Sequence, residues 1–277
     1  MTETKIPLAG VIGTPIAHSR SPRLFRHWLT THGIAGHYIP MDVAHENLEA
    51  VLRTLPKMGF VGANITIPHK ETVMGIADQI SDRATLIGAA NTLIFRQDGK
   101  IHADNTDGYG FIENLRNGAP DWDAKSGPAA VLGAGGAARA VVTALLDACA
   151  PESLLNYRTR VRAERLKDDF GTRIRVIDWV QAGNMLDEAA LVVNTTSLGM
   201  VGKPELRVPL DGLRKGVVVT DLVYSPLKTN LLLAAQEAGC VPVDGLGMLL
   251  YQAVPGFERW FGVRPVVDNA TRAAALR

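Results

Sequence analysis

Cysteine, surplus charge and long apolar runs are all scarce in this sequence, and each scarcity excludes something. Two cysteines among 277 residues, Cys149 and Cys240, are too few for a disulfide scaffold. No C-x-x-C spacing offers a metal site, and no His/Cys/Asp cluster does either. Each cysteine lies in an apolar stretch and reads as a buried free thiol. Lysine plus arginine number 29 against 28 aspartate plus glutamate. Without a basic excess nothing marks a nucleic-acid binder. No run approaches the ~20 apolar residues of a spanning helix. The start, broken by Pro7 and Gly10, reads as a strand rather than a signal peptide. These exclusions leave a small-molecule partner, no nucleic acid, no membrane and a cytoplasmic address.

What is present is ordinary globular material. Apolar residues make up 47% and charged residues 21% of the chain, which excludes a disordered or collagen-like protein. At roughly 150 residues per domain the length gives about two domains. Apolar runs predict strands over 8–12, 37–41, 62–67, 129–132, 153–157, 173–177, 191–194 and 217–221. Helical patterns fall over 22–32, 48–58, 70–79, 137–149, 162–170 and 229–238. Such alternation predicts an α/β fold with parallel sheets covered by helices. The segment Asn117 to Gly127 is the most loop-like and marks a domain boundary at or just before it.

The sharpest motif is Gly133-Ala134-Gly135-Gly136-Ala137-Ala138, a G-x-G-x-x-A turn between a short strand and an Ala-rich helix. Gly133 permits the tight turn, Gly135 lets backbone N–H groups approach a pyrophosphate, and Ala138 allows close helix–sheet packing. The helix N-terminus adds a field favourable to phosphate. An NAD site would carry an acid about 20 residues past the first glycine, at the end of the next strand. That strand end reads Asn156-Tyr157-Arg158-Thr159-Arg160, with Arg162 and Arg165 behind; Glu152 stands at the strand's beginning. Arg158 can grip a 2′-phosphate through its fork and Thr159 can add a hydroxyl, so the cluster reads as NADP. A solvated basic helix start is the alternative.

Four further patches are polar. Ser21-Pro22 reads as a helix start with Ser21 as the cap. Ser19, two residues earlier, faces the same way in extended backbone, so both hydroxyls could meet one carboxylate, or serve only as a cap and a surface serine. In Asn64-Ile65-Thr66-Ile67-Pro68-His69-Lys70 the lysine falls in the first turn of a predicted helix. A cation is disfavoured there, so Lys70 is either solvated or an acid/base group of lowered pKa. His69 faces another direction and reads as structural or as a support behind a site residue. Asn105-Thr106-Asp107-Gly108 precedes a helix, where Asp107 could merely cap; Asn91-Thr92 closes another helical stretch. Polar patches at element ends fit a cleft between two α/β domains.

These residues together resemble shikimate dehydrogenase from end to end. The carriers are His18-Ser19-Arg20-Ser21-Pro22, Asn64 to Lys70, Gly88-Ala89-Ala90-Asn91-Thr92, Asn105-Thr106-Asp107 and the Gly133–Ala138 turn. Arg158-Thr159, Asn194-Thr195-Thr196-Ser197-Leu198-Gly199-Met200, Asp221-Leu222-Val223-Tyr224-Ser225-Pro226 and Gly245-Leu246-Gly247-Met248-Leu249 with Gln252 complete the set. One departure is Tyr157, where the family carries asparagine.

The resemblance implies a substrate domain over 1–104 and 240–277 with a mostly parallel sheet, and an NADP-binding Rossmann-like domain over 105–239. It implies NADPH-dependent, reversible reduction of 3-dehydroshikimate to shikimate, no metal, and a monomer or homodimer. By resemblance Ser19, Ser21 and Tyr224 hold the substrate carboxylate, and Thr66, Asn91, Asp107 and Gln252 the ring hydroxyls. Lys70 transfers the proton with Asp107 beside it. Gly133, Ala134, Gly135, Gly136, Ala137, Arg158, Thr159, Arg162, Thr195, Leu222, Gly245 and Met248 line the cofactor. The rivals are a quinate/shikimate dehydrogenase using NAD, and a silent ligand-binding regulator of the same fold. Arg158 and Ser21 oppose the first; Lys70 with Asp107 opposes the second.

Overall fold

Apolar strands too short to bury themselves alone assemble into two six-stranded sheets. The computed structural model describes residues 6–157 and 159–277. The chain divides into two units, one running to Thr106 and resuming over Leu249–Arg277, the other Asp107–Met248.

The first unit contains β1 (Leu8–Gly13), α1 (Ser21–Thr31), β2 (His37–Asp42), α2 (Leu48–Thr54), β3 (Phe60–Ile65), β4 (Gln79–Ile80), α3 (Asp82–Ile87), β5 (Thr92–Phe95) and β6 (Ile101–Asp104). Its sheet order is β2-β1-β3-β5-β6-β4. Pairs β1·β2, β1·β3 and β4·β6 are parallel, while β3·β5 and β5·β6 are antiparallel. One face packs Leu48, Leu52, Val73, Ala84 and Leu93 into a core. Against the other lie aromatic rings: Phe25 stacks on Tyr38 at 3.7 Å between centroids, and Phe257 meets Trp28 at 5.3 Å. Gly62 makes this docking possible. A Cβ there would stand 1.9 Å from Trp260 Nε1, which donates to Leu93 O at 3.0 Å.

The helix expected over 70–79 is only one 3-10 turn, Thr72–Gly75. The competing force is sheet pairing: Asp78 N donates to Ile101 O and Ile101 N to Asp78 Oδ2, drawing 79–80 into β4 beside β6. Lys70 therefore precedes a single turn, and the helix-field argument for it does not hold. Strand β3 also ends at Ile65 instead of 67, because the chain turns at Thr66, whose carbonyl accepts from His69 N at 3.0 Å.

The second unit contains α4 (Asp107–Gly118), β7 (Ala129–Leu132), α5 (Gly136–Asp147), β8 (Ser153–Tyr157), α6 (Arg160–Phe170), β9 (Ile174–Asp178), α7 (Ala182–Glu188), β10 (Leu191–Asn194), β11 (Val218–Asp221), α8 (Asn230–Glu237) and β12 (Val241–Val243). Its order is β9-β8-β7-β10-β11-β12, all parallel. In chain order that is 3-2-1-4-5-6, the dinucleotide-binding topology with its switch point at β7. Apolar side chains cover both faces, as a parallel sheet requires. Residues 240–248 stay with this unit rather than returning to the first at 240, because β12 pairs with β11.

The last helices are α9 (Leu246–Phe261) and α10 (Asn269–Leu276). No helix among the described residues is long and apolar enough to cross a membrane. Cys240 is buried, but Cys149 is exposed, contrary to its expected burial: it lies two residues past α5 at φ 66°, in the turn after the helix.

Candidate active site

In the first unit the polar positions lie in the turns beside strands and on α1 and α9. Ser21 is the first residue of α1, not its cap: the Ser19 hydroxyl accepts the Ser21 N–H at 3.4 Å. Ser19 is half-buried and Ser21 is buried. Thr66 leaves β3 with its N–H on Ile12 O at 2.9 Å, and Gly13 has no side chain to obstruct it. Lys70 is half-buried, and its carbonyl accepts from Ala90 N at 2.8 Å, which ties it to the Gly88–Asn91 turn. His69 is fully buried with Nε2 2.7 Å from Val43 O, the structural role expected of it.

Asn91 is the hub of this half. Its Oδ1 accepts from Thr92 Oγ1 at 2.9 Å and Thr106 N at 2.9 Å, and its Nδ2 donates to Gln252 Oε1 at 3.1 Å. Gln252 is held in turn by Nε2 on Leu249 O, and its carbonyl accepts from Thr106 Oγ1 at 2.8 Å. Asn64 extends the network, with Nδ2 donating to Asn91 O at 3.1 Å and Oδ1 accepting from Tyr38 OH at 2.7 Å. The sequence pattern singled out Asn91 and Gln252 but gave no signal for Tyr38, whose partner is 26 residues away in another strand.

Next to this hub, Asp104 accepts from Arg83, Ser81 and Asn105 N. Burial works to raise its pKa, but the Arg83 and Ser81 hydrogen bonds outweigh that and hold the carboxyl below its ordinary range. Asn105 Nδ2 donates to Ala89 O at 2.9 Å. The network therefore fixes both turns that carry Asn91 and Thr106.

In the second unit the glycine turn is open. Gly133 has φ +112°, and a Cβ there would stand 2.7 Å from Thr195 Oγ1. Nothing lies within 4 Å of the Cβ positions of Gly135 or Gly136, and Ala138 is fully buried. This is space a phosphate could enter at the start of α5, with Ala134 and Ala137 beside it. Thr195 is fastened by N and Oγ1 to Leu132 O, and Leu222 N donates to Asn194 O at 3.0 Å. Gly245 brings the chain so close to Leu222 that a Cβ would stand 2.6 Å from its carbonyl. Met248 packs on the core beneath.

Asp221 supports these loops from below. It accepts from Asn194 Nδ2 at 2.9 Å, Val223 N at 2.9 Å and Thr229 Oγ1 at 2.7 Å. Burial pushes its carboxyl up despite those bonds. Tyr224, next along, is half-buried.

Past β8, Thr159, Arg162 and Arg165 are exposed; Arg158 lies outside the described residues. Glu152, at the strand's beginning, pairs with Arg175 at 3.2 Å. Tyr157 donates to Asp178 at the neighbouring strand end. An open glycine cradle with exposed cationic and hydroxyl groups past the next strand fits a 2′-phosphorylated dinucleotide. Asp107 is the first residue of α4 and half-buried. Lys70 and Asp107 thus belong to different units.

The shikimate dehydrogenase substrate binding domain matches residues 11–93, and the shikimate 5'-dehydrogenase C-terminal domain matches residues 245–274. The shikimate dehydrogenase (NADP(+)) of Ruegeria sp. (strain TM1040) is 67% identical over 276 residues, covering 100% of both chains. Shikimate 5-dehydrogenase of Thermus thermophilus, solved with NADP(H) and shikimate, is 36% identical. Its TM-score is 0.87 over 98% of this chain and 99% of that one. Quinate dehydrogenase of Corynebacterium glutamicum, solved with NAD, is 31% identical with a TM-score of 0.90 over 98% of this chain and 99% of that one.

Proposed function

The chain belongs to the shikimate dehydrogenase family, and on that premise we propose how its residues carry out the reaction. The enzyme reduces 3-dehydroshikimate to shikimate reversibly with NADPH, a step of aromatic amino-acid biosynthesis. NADP supplies the hydride chemistry when bound. The Gly133–Ala137 turn receives its pyrophosphate, and Arg158, Thr159 and Arg162 its 2′-phosphate. Thr195, Leu222, Gly245 and Met248 complete that side.

Ser19, Ser21 and Tyr224 bind the substrate carboxylate, and Thr66, Asn91, Asp107 and Gln252 its ring hydroxyls. Asn91 and Gln252 arrive pre-oriented by their mutual hydrogen bond, so little ordering entropy remains to be lost on binding. Negative charge grows on the carbonyl oxygen as its carbon is reduced. The Lys70 ammonium stabilises that oxygen and then protonates it. Asp107 is assigned to the same step. The enzyme works in the cytoplasm as a monomer or homodimer.

The observation that carries this reading is identity along the whole chain to an NADP-dependent enzyme, joined to the polar residues Ser21, Thr66, Asn91 and Gln252 of the first unit. Fold likeness alone would not separate it from a quinate dehydrogenase solved with NAD; Ser21 and Arg158 make that distinction. A spectrophotometric assay tests it, following reduced cofactor with shikimate and quinate, each against NADP and NAD. The highest kcat/KM is expected for shikimate with NADP. A higher value for quinate with NAD would overturn the assignment. Arg158→Asp should raise the KM for NADPH far more than for NADH.

A further inference from the structure

One exposed carboxylate stands beside the cations that follow β8. Asp178 ends β9, the strand next to β8. Strand register pairs it with Tyr157, so the two side chains share one face of the sheet. Asp178 also occupies the cap position of the 3-10 turn Trp179–Gln181, where an aspartate ordinarily accepts a backbone N–H. Its side chain makes no capping bond there. It accepts from the Tyr157 hydroxyl instead. That donor is fixed from below, because Tyr157 is buried and its ring belongs to the core under α5 and α6. Asn156 Nδ2 secures the backbone of the same strand end, donating to Ile177 O at 3.2 Å and Asp178 O at 3.1 Å. The bond to Asp178 pushes the phenol pKa up, so Tyr157 keeps its proton at neutral pH.

Thr159, Arg160 and Arg162 lie exposed just past Tyr157. Arg160 opens α6 and pairs with Glu164 at 3.2 Å. The Glu164 bond chiefly, and the Asp178 charge in addition, hold the Arg160 pKa up. A phosphate arriving at this loop needs guanidinium forks that no carboxylate has already taken. An untethered Asp178 would compete for them and repel the phosphate. We propose that Tyr157 is a positioning residue for NADP selectivity: its hydroxyl tethers Asp178 at the strand end and leaves the cations of residues 158–162 to the 2′-phosphate. This rests on the assignment of Arg158, Thr159 and Arg162 to that phosphate.

Tyr157→Phe keeps the ring in the core and removes only the tether. The dissociation constant for NADPH, measured by calorimetry, should rise about 2–5-fold, the size of one exposed charge interaction. The constant for NADH, the KM for shikimate and kcat at saturating NADPH should not change. Adding Asp178→Asn to Tyr157→Phe should restore NADPH affinity, because the competing charge is gone; a packing defect would not be repaired that way. Unchanged NADPH affinity in Tyr157→Phe, an equal loss for NADH, or failure of Asp178→Asn to restore binding would each overturn the tether. Arg158→Asp, measured alongside, separates the two readings. If it weakens NADPH selectively while Tyr157→Phe does nothing, the tether fails and the phosphate assignment stands. If it leaves the NADPH-to-NADH ratio unchanged, the phosphate assignment fails, and the tether with it.

Discussion

The Asn91 amide donates to Gln252 Oε1 at 3.1 Å, joining side chains 161 residues apart in sequence. One directly precedes an early strand and the other lies in the penultimate helix, so the C-terminal segment supplies part of the early segment's polar lining. Asn91→Ala would leave Thr106 N–H without its acceptor and Gln252 without its donor. Stability should fall by about 1–3 kcal/mol in urea melts, and the KM for shikimate should rise. An unchanged KM would remove Asn91 from the binding surface.

Lys70→Ala should lower kcat by ~10²–10⁴-fold, the usual contribution of a positioned acid/base group. Its backbone is held by Ala90 N, so the turn should survive truncation of the side chain. Shikimate affinity from calorimetry should change little. Turnover close to wild type would take the proton transfer away from this lysine.

Gly62→Ala tests whether the aromatic face needs a bare backbone. The added Cβ would stand 1.9 Å from Trp260 Nε1 and 2.4 Å from Leu93 O, so the indole must move and give up its bond to that carbonyl. A loss of about 1–3 kcal/mol is expected from overpacking, read as a lower melting temperature. A neutral result would mean that α9 docks on this face more loosely than the contact implies.

The Arg83–Asp104 pair gives a pH-dependent signature. With its pKa held below the unfolded value, Asp104 contributes stability that is present above the unfolded carboxylate pKa. That contribution is lost as pH falls through the lower folded value. Arg83→Met should therefore cost about 1 kcal/mol near pH 7, a modest figure because the Arg83 side chain is 53% exposed and screened. The difference from wild type should shrink as pH falls through the acid range. A gap that stays constant down to strong acid would show that Arg83 acts through packing instead.

Local chemistry made much of this protein legible from its sequence. Strands such as Ala129–Leu132, Ser153–Tyr157 and Leu191–Asn194 end where they were expected, since short apolar runs bounded by turn residues have few other outcomes. The Gly133–Ala138 turn was readable because a tight turn with a close ligand approach demands glycine at fixed spacing. Other features depended on partners far along the chain. Pairing of 79–80 with β6 overrode a helical pattern, and pairing of 241–243 with β11 kept that segment in the second unit. The Tyr38–Asn64–Asn91–Gln252 network exists only because folding aligns two sheet strands with a distant helix. Sequence spacing thus settles which backbone turns form, because their constraints act over a few residues. Which polar groups share a proton was decided by the tertiary structure, because a hydrogen bond depends on distance in space and not along the chain.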